Sequence, residues 1–208
     1  MAMKIAVLAA NGRSGQVFVH EALKAGHQVW AGVYGSHSLP AHDNLEIIKC
    51  DGMNPDDVSN LVKGCDAVVS LIGHTKNSAK NVQTKSITNL VDVISGSDIR
   101  LVSLTGTGVR FDGDSPSLVD RFLNFGIKLI DPNRINDGIN HAQVIKDSDT
   151  NWTIIRVLKL SNSTAKSYSL TTGGPAKLLT SRTEVAQAIL EVLGSNKYIK
   201  MAPVISNA

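Results

Sequence analysis

Residues Asn11 to Gly15 (NGRSG) have the types and spacing needed to hold a phosphate. Gly12 and Gly15, three apart, follow the apolar run Ile5-Ala6-Val7-Leu8 and precede a helical pattern. A buried strand, a tight turn and a helix in that order bring open backbone N–H groups and a positive dipole end towards anionic oxygens. The geometry suits the diphosphate of a dinucleotide. Fitted to G-x-x-G-x-x-G, the first glycine slot holds Ala9. An ordinary strand–turn–helix unit uses similar glycines, so the rest of the chain has to decide.

The elements that would position this loop alternate in type. A helical pattern over 13–25 pairs Phe18 with Ala22 and Val19 with Leu23, and stops at Gly26. Strands are expected at 28–33 and 45–49, a short helix at 55–63 opened by Asn54-Pro55, and a buried strand at 67–72 (AVVSLI). The stripe Ile87, Leu90, Val91, Ile94 predicts a helix over 78–95, followed by a strand at 99–104. This order implies an α/β fold, Rossmann-like: a doubly wound parallel sheet with helices on both faces. Right-handed crossovers gather the C-terminal strand ends on one edge, where ligands bind. The site candidates are therefore Asn11 to Gly15, Tyr34 to Ser38, Asp51, Gly73-His74 and Thr105 to Arg110.

Beyond 115 the pattern changes. Leu118, Phe122, Phe125 and Leu129 recur at helical spacing, and for the two phenylalanines this favours core packing over a cover for a flat ligand. Phe111 is a further candidate for such a cover. A helix is expected over 135–146, a strand over 152–157 and a short strand at 168–170. The capping box Ser181-x-x-Glu184 opens a helix over 185–193, and 198–201 reads as a last strand. The whole, 1–208, reads as one dinucleotide-binding domain with 109–150 and 158–180 as smaller substrate-side insertions.

Composition narrows the function. Apolar residues make up 42%, enough for a full core. The net charge of +3, with no basic run on one face, argues against nucleic acid. No apolar run approaches the ~20 residues of a membrane helix. Cys50 and Cys65 lie in no CxxC motif, which fits reduced thiols in a cytoplasmic protein, and the chain enters a core strand with no room for a signal peptide. Histidines at 20, 27, 37, 42, 74 and 141 form no HExxH or helical pair, so no metal site is read, and no G-x-S-x-G elbow is present. Nothing in the sequence sets the oligomeric state.

Five segments in order carry a resemblance: AANGRSG at 9–15, Asp51-Gly52, GCDAVVSLIG at 64–73, NWTIIRV at 151–157 and TSRTEVAQAILEVL at 180–193. Together they resemble the atypical short-chain dehydrogenase/reductase superfamily, nearest its NmrA-like branch of proteins named as NADH-flavin reductases and biliverdin reductase B. The resemblance implies that Asn11, Gly12, Arg13, Ser14 and Gly15 hold the pyrophosphate of a nicotinamide dinucleotide. It implies that Asp51, with Gly52 beside it, accepts from the adenine amino group, and that Leu71, Ile72 and Gly73 line the adenosine. Thr105 would lie near the nicotinamide ribose, with Val157 and Leu158 flanking its ring. Three positions depart from the family: Ala9 for glycine, Tyr34 where NADPH-preferring relatives often have arginine, and Val157 where proline is usual.

The end of the second strand, Val33 to Ser38, holds neither the acid that marks NAD nor the arginine that marks NADP. Without a carboxylate to repel a 2′-phosphate, and with Arg13 in the loop to reach one, NADPH is favoured over NADH. The Tyr-x-x-x-Lys pair of carbonyl-reducing short-chain dehydrogenases is missing, because Ser38, Thr172 and Ala202 stand four residues after Tyr34, Tyr168 and Tyr198. Hydride transfer to a flavin (FMN or FAD as substrate) or a quinone asks mainly for stacking and orientation. His74 and Thr105 are the polar candidates beside the nicotinamide; His74 could equally be a solvated loop histidine, and Thr105 and Thr107 could simply bond turn backbone. His141, on a helix, reads as structural. The sequence thus supports a NAD(P)H-dependent reductase of a small planar acceptor, or a non-catalytic NAD(P)-binding redox sensor of the NmrA-like type.

Overall fold

A computed structural model describes residues 2–164 and 167–207. Positions 165 and 166, within the expected 158–180 insertion, lie outside the described residues. The elements are β1 (Lys4–Leu8), α1 (Arg13–Lys24), β2 (Gln28–Val33), β3 (Leu45–Lys49), α2 (Pro55–Val62), β4 (Ala67–Ser70), α3 (Val82–Ile94) and β5 (Arg100–Gly106). They continue with α4 (Leu118–Ile130), α5 (Pro132–Asp147), β6 (Asn151–Val157), β7 (Leu160–Ser161), β8 (Tyr168–Thr171), β9 (Thr180–Ser181), α6 (Arg182–Leu193) and β10 (Val204–Asn207).

Eight strands form one sheet in the order β3-β2-β1-β4-β5-β6-β10-β8, parallel except for β8 at the edge, which runs antiparallel to β10. The switch in strand order falls between β1 and β4, where a Rossmann-like sheet opens its ligand crevice. β1 shows why the sheet must be covered on both faces. Ile5 and Val7 pack with Phe18, Val19, Val185 and Ile189 under α1 and α6. Ala6 and Leu8 pack with Leu61, Ile87, Leu90 and Ile145 under α2, α3 and α5. The alternation of the pleat makes the continuous apolar run two half-cores at once.

Several expectations change. The helix expected from 78 begins at Val82, because the Ser78 hydroxyl accepts from Thr75 N–H (3.1 Å) and donates to its carbonyl (3.0 Å), holding a turn ahead of the helix. The expected strand at 198–201 is a turn with Lys200 at φ 55°, and the last strand is β10. Phe122 and Phe125 are not core residues. α4 directs Asp120 and Asn124 inward, where Asp120 pairs with Arg110 (2.6 Å) and Asn124 donates to Asp120 (2.6 Å) and the Thr107 hydroxyl (3.2 Å). The apolar stripe is left outside. Thr107 thus bonds a side chain rather than turn backbone.

Arg156, expected from its sequence only as part of the strand at 152–157, is buried on β6 to 1% exposure. It forms a double ion pair with Asp114, donates to the carbonyls of Val109 (3.1 Å) and Ala202 (2.9 Å), and stacks on Phe111 at 4.9 Å. Phe111 is therefore occupied by Arg156 and does not cover the ligand crevice. Burial by itself would raise the Asp114 carboxyl; the hydrogen bonds and charge of Arg156, with the Phe111 N–H, hold it below its ordinary value.

His141 on α5 is structural, as expected. It is 3% exposed and hydrogen-bonded to Ser103 of β5 (2.9 Å), fixing α5 on the sheet. Burial depresses its pKa to about 4, against the opposing pull of Asp137. The unfolded chain, with the ordinary value of 6.5, binds the proton first. Stability is therefore expected to fall as pH drops from 6.5 towards 4, by on the order of 3 kcal/mol, and to level off below. Urea unfolding across that range should show the slope, and His141→Gln should flatten it.

Candidate functional site

The turn after β1 is tight for a reason visible in distances. A Cβ on Gly15 would lie 2.2 Å from the Ala9 carbonyl oxygen and 2.7 Å from Ala10 backbone, so only glycine lets α1 start this close to β1. Gly15 serves packing and does not line the cleft. Ala9 itself sits at φ 60°, in the left-handed region where an alanine is disfavoured. The family's glycine at that slot thus has a backbone reason, and Ala9 carries strain in its place.

The N-terminus of α1 also stands apart from the other helices described. Asn54, Ser117, Asp131 and Ser181 cap α2, α4, α5 and α6 with their own side chains. Asp137 caps α3 from another helix, accepting from Gln83 N–H (2.9 Å) and Thr84 N–H (2.9 Å). α1 begins at Gly12 with no side-chain cap and no acid in its first turn. Its positive end and first N–H groups face a cleft of about 880 Å³, where a diphosphate fits.

Asn11, Gly12, Arg13, Ser14, Tyr34, Asp51, Gly52, Leu71, Ile72, Gly73, His74, Thr105 and Val157 all line this cleft, at the C-terminal ends of β1 to β6. Asn11 shapes the wall. Its amide donates to the carbonyls of Tyr34 (3.0 Å) and Ser36 (2.9 Å), folding the loop after β2 against the glycine turn. Asp51 accepts from Met53 N–H (2.9 Å), which orders the turn containing Gly52. Arg13 lines the same cleft as Tyr34. It also borders a side cleft with His74, Lys76, Lys80 and Arg134, and its charge helps lower the pKa of Arg182, after burial.

His74 is not a solvated loop residue. Its side chain is 10% exposed and its Nε2 lies 2.8 Å from Asp137. Asp137 also accepts from the Thr84 hydroxyl (2.5 Å), so the carboxylate acts as acceptor throughout and the histidine must donate from Nε2. Asp137 was missed in the sequence; only its place on α5, one turn before His141, hinted at an inward direction. Arg182 was also missed. It lines the cleft, 8% exposed, and donates to Asn162 (2.5 Å). It was visible only within the 180–193 motif.

Residues 9–196 match the family model described as NAD(P)H-binding. The chain belongs to that family. Solved structures share the fold over nearly the whole length. A Streptococcus pneumoniae protein named as an NADH-flavin reductase aligns with TM-score 0.79 and 23% identity, covering all of both chains. A short-chain dehydrogenase/reductase from Veillonella parvula, solved with NADP, aligns at 0.83 and 20%, covering 100% of this chain and 95% of that one. An oxidoreductase from Lactococcus lactis aligns at 0.83 and 16%, covering 99% and 91%. No curated protein matches. Among the described residues, no helix is long and apolar enough to cross a membrane.

Two substitutions test the loop. Gly15→Ala should displace the turn, weaken dinucleotide binding tenfold or more and cost about 1–3 kcal/mol of stability. Ala9→Gly should relieve the left-handed strain and, after the added chain entropy of glycine, stabilise by about 1 kcal/mol. Calorimetric binding and urea unfolding measure both.

Proposed function

We propose that this protein is a NAD(P)H-dependent oxidoreductase that passes hydride to a small planar acceptor, a flavin or a quinone. The observation that carries this reading is the composition of the cleft beyond the glycine loop. Leu104, Val109, Ile127, Ile135, Val157 and Leu158 form an apolar slot whose polar members include Thr105 and the Asp137-bound His74. Among the described residues no lysine lines the cleft, and its one tyrosine, Tyr34, is 69% exposed. Tyr168 is engaged by Glu191 (2.8 Å) and Tyr198 by the Leu170 carbonyl (3.3 Å). A slot of this kind orients flat rings and excludes water, which is most of what reduction of a conjugated acceptor requires.

The nicotinamide, when bound, supplies the hydride. The chain supplies the rest. The uncapped start of α1 would hold the diphosphate, with Val157 and Leu158 against the ring and Thr105 beside its ribose. Asp137 fixes the tautomer of His74, leaving Nδ1 as the nitrogen that exchanges a proton with the acceptor or with water. NADPH is the favoured donor. Ser36, His37 and Ser38 are exposed after β2 with no carboxylate among them, and the Veillonella neighbour holds NADP. Flavin nucleotides enter as substrates.

With FMN, riboflavin or a quinone present, loss of reduced-nicotinamide absorbance should saturate in acceptor and run faster with NADPH than with NADH. His74→Phe should lower kcat tenfold or more, with the dinucleotide Kd within about twofold of the parent. Tight dinucleotide binding without turnover of any of these acceptors would overturn the reading and identify a non-catalytic sensor.

A further inference from the structure

α4 is amphipathic in the inverse sense. Its polar side is turned to the protein and satisfied there, through Asp120 with Arg110 and Asn124 with Thr107. Its other side presents Leu118, Val119, Phe122, Phe125, Leu129 and Ile130, each between 52% and 88% exposed. A helix whose inner face is already hydrogen-bonded cannot bury this stripe by rolling over without leaving Asp120 and Asn124 unpaired. Something else has to cover it.

The stripe has the dimensions and pattern of a self-association surface. Six large apolar side chains at these exposures amount to on the order of 800 Å², what each partner contributes to a standard stable interface. The largest apolar patch of an ordinary monomer is about 300–600 Å². Leu118, Phe122, Phe125 and Leu129 follow one another at spacings of four, three and four, the seam that packs one helix against another. No charge falls on these four positions, so the surface offers nothing specific to a charged peptide. With Arg121 and Lys128 as the only cations on α4, it lacks the basic rim of a helix that lies on anionic lipid.

We propose that the exposed face of α4 is the contact surface for a second copy of this chain, the two α4 helices packing seam to seam about a two-fold axis. The same helix lines the cleft through Asn124 and Ile127. Pairing would therefore brace one wall of each site from behind, without placing a partner residue in it. The inference does not depend on the reaction proposed above.

Sedimentation velocity of the full chain across micromolar concentrations should show a species of twice the 22.2 kDa chain mass. Phe122→Glu should weaken association at least about thirtyfold. Because Phe122 is exposed in the single chain, circular dichroism and dinucleotide binding of that variant should match the parent. Phe122→Leu should keep the dimer. A parent that stays monomeric throughout overturns the proposal, whether or not it binds anionic vesicles. So does a dimer unaffected by Phe122→Glu.

Discussion

The buried carboxylate of Asp137 is the constraint on which this site rests. At 3% exposure it must be fully satisfied, and its partners come from two distant parts of the chain. It caps α3 through Gln83 and Thr84, binds the Thr84 hydroxyl, and holds His74 at the end of the loop after β4. One acidic group thereby sets the start of α3, the seat of α5 and the orientation of the one histidine that lines the cleft among the described residues. The Ser103–His141 contact one turn later fixes α5 to β5, so the Asp137 position is inherited from the sheet.

A second buried charge does comparable work at the far end of the crevice. Arg156 sits inside the sheet because Asp114, two carbonyls and the Phe111 ring replace its water. In doing so it ties the loop after β5 to β6, the strand that supplies Val157 to the site. Both clamps act across long sequence separations. They leave the glycine turn, held by its own backbone packing, as the locally built part of the cleft.

That difference explains how much could be read in advance. The cofactor loop was legible because its requirements are local: a buried strand, glycines at a close approach, and a helix start free of acids. The parallel sheet and the edge that carries the crevice followed from alternation and handed crossovers. Ala9 was visible as an exception, but its φ of 60° was needed to show what the exception costs. The reading failed where the same pattern serves two environments. The Leu118–Phe122–Phe125–Leu129 stripe looks identical whether the core lies inside the chain or in another molecule, since helical spacing records which residues share a face and not where that face points.

The sequence by itself determined a NAD(P)H-binding Rossmann-like domain and the glycine turn that opens α1, because period-2 and period-3.6 patterning and glycine backbone freedom are properties of neighbouring residues. Only the tertiary structure decided that Asp137 orients His74, that Arg156 is buried and paired, and that α4 shows its apolar side to the outside. Each of those depends on which groups 40 or more positions apart, or on different faces of one helix, meet a partner able to replace water, and no local pattern encodes that.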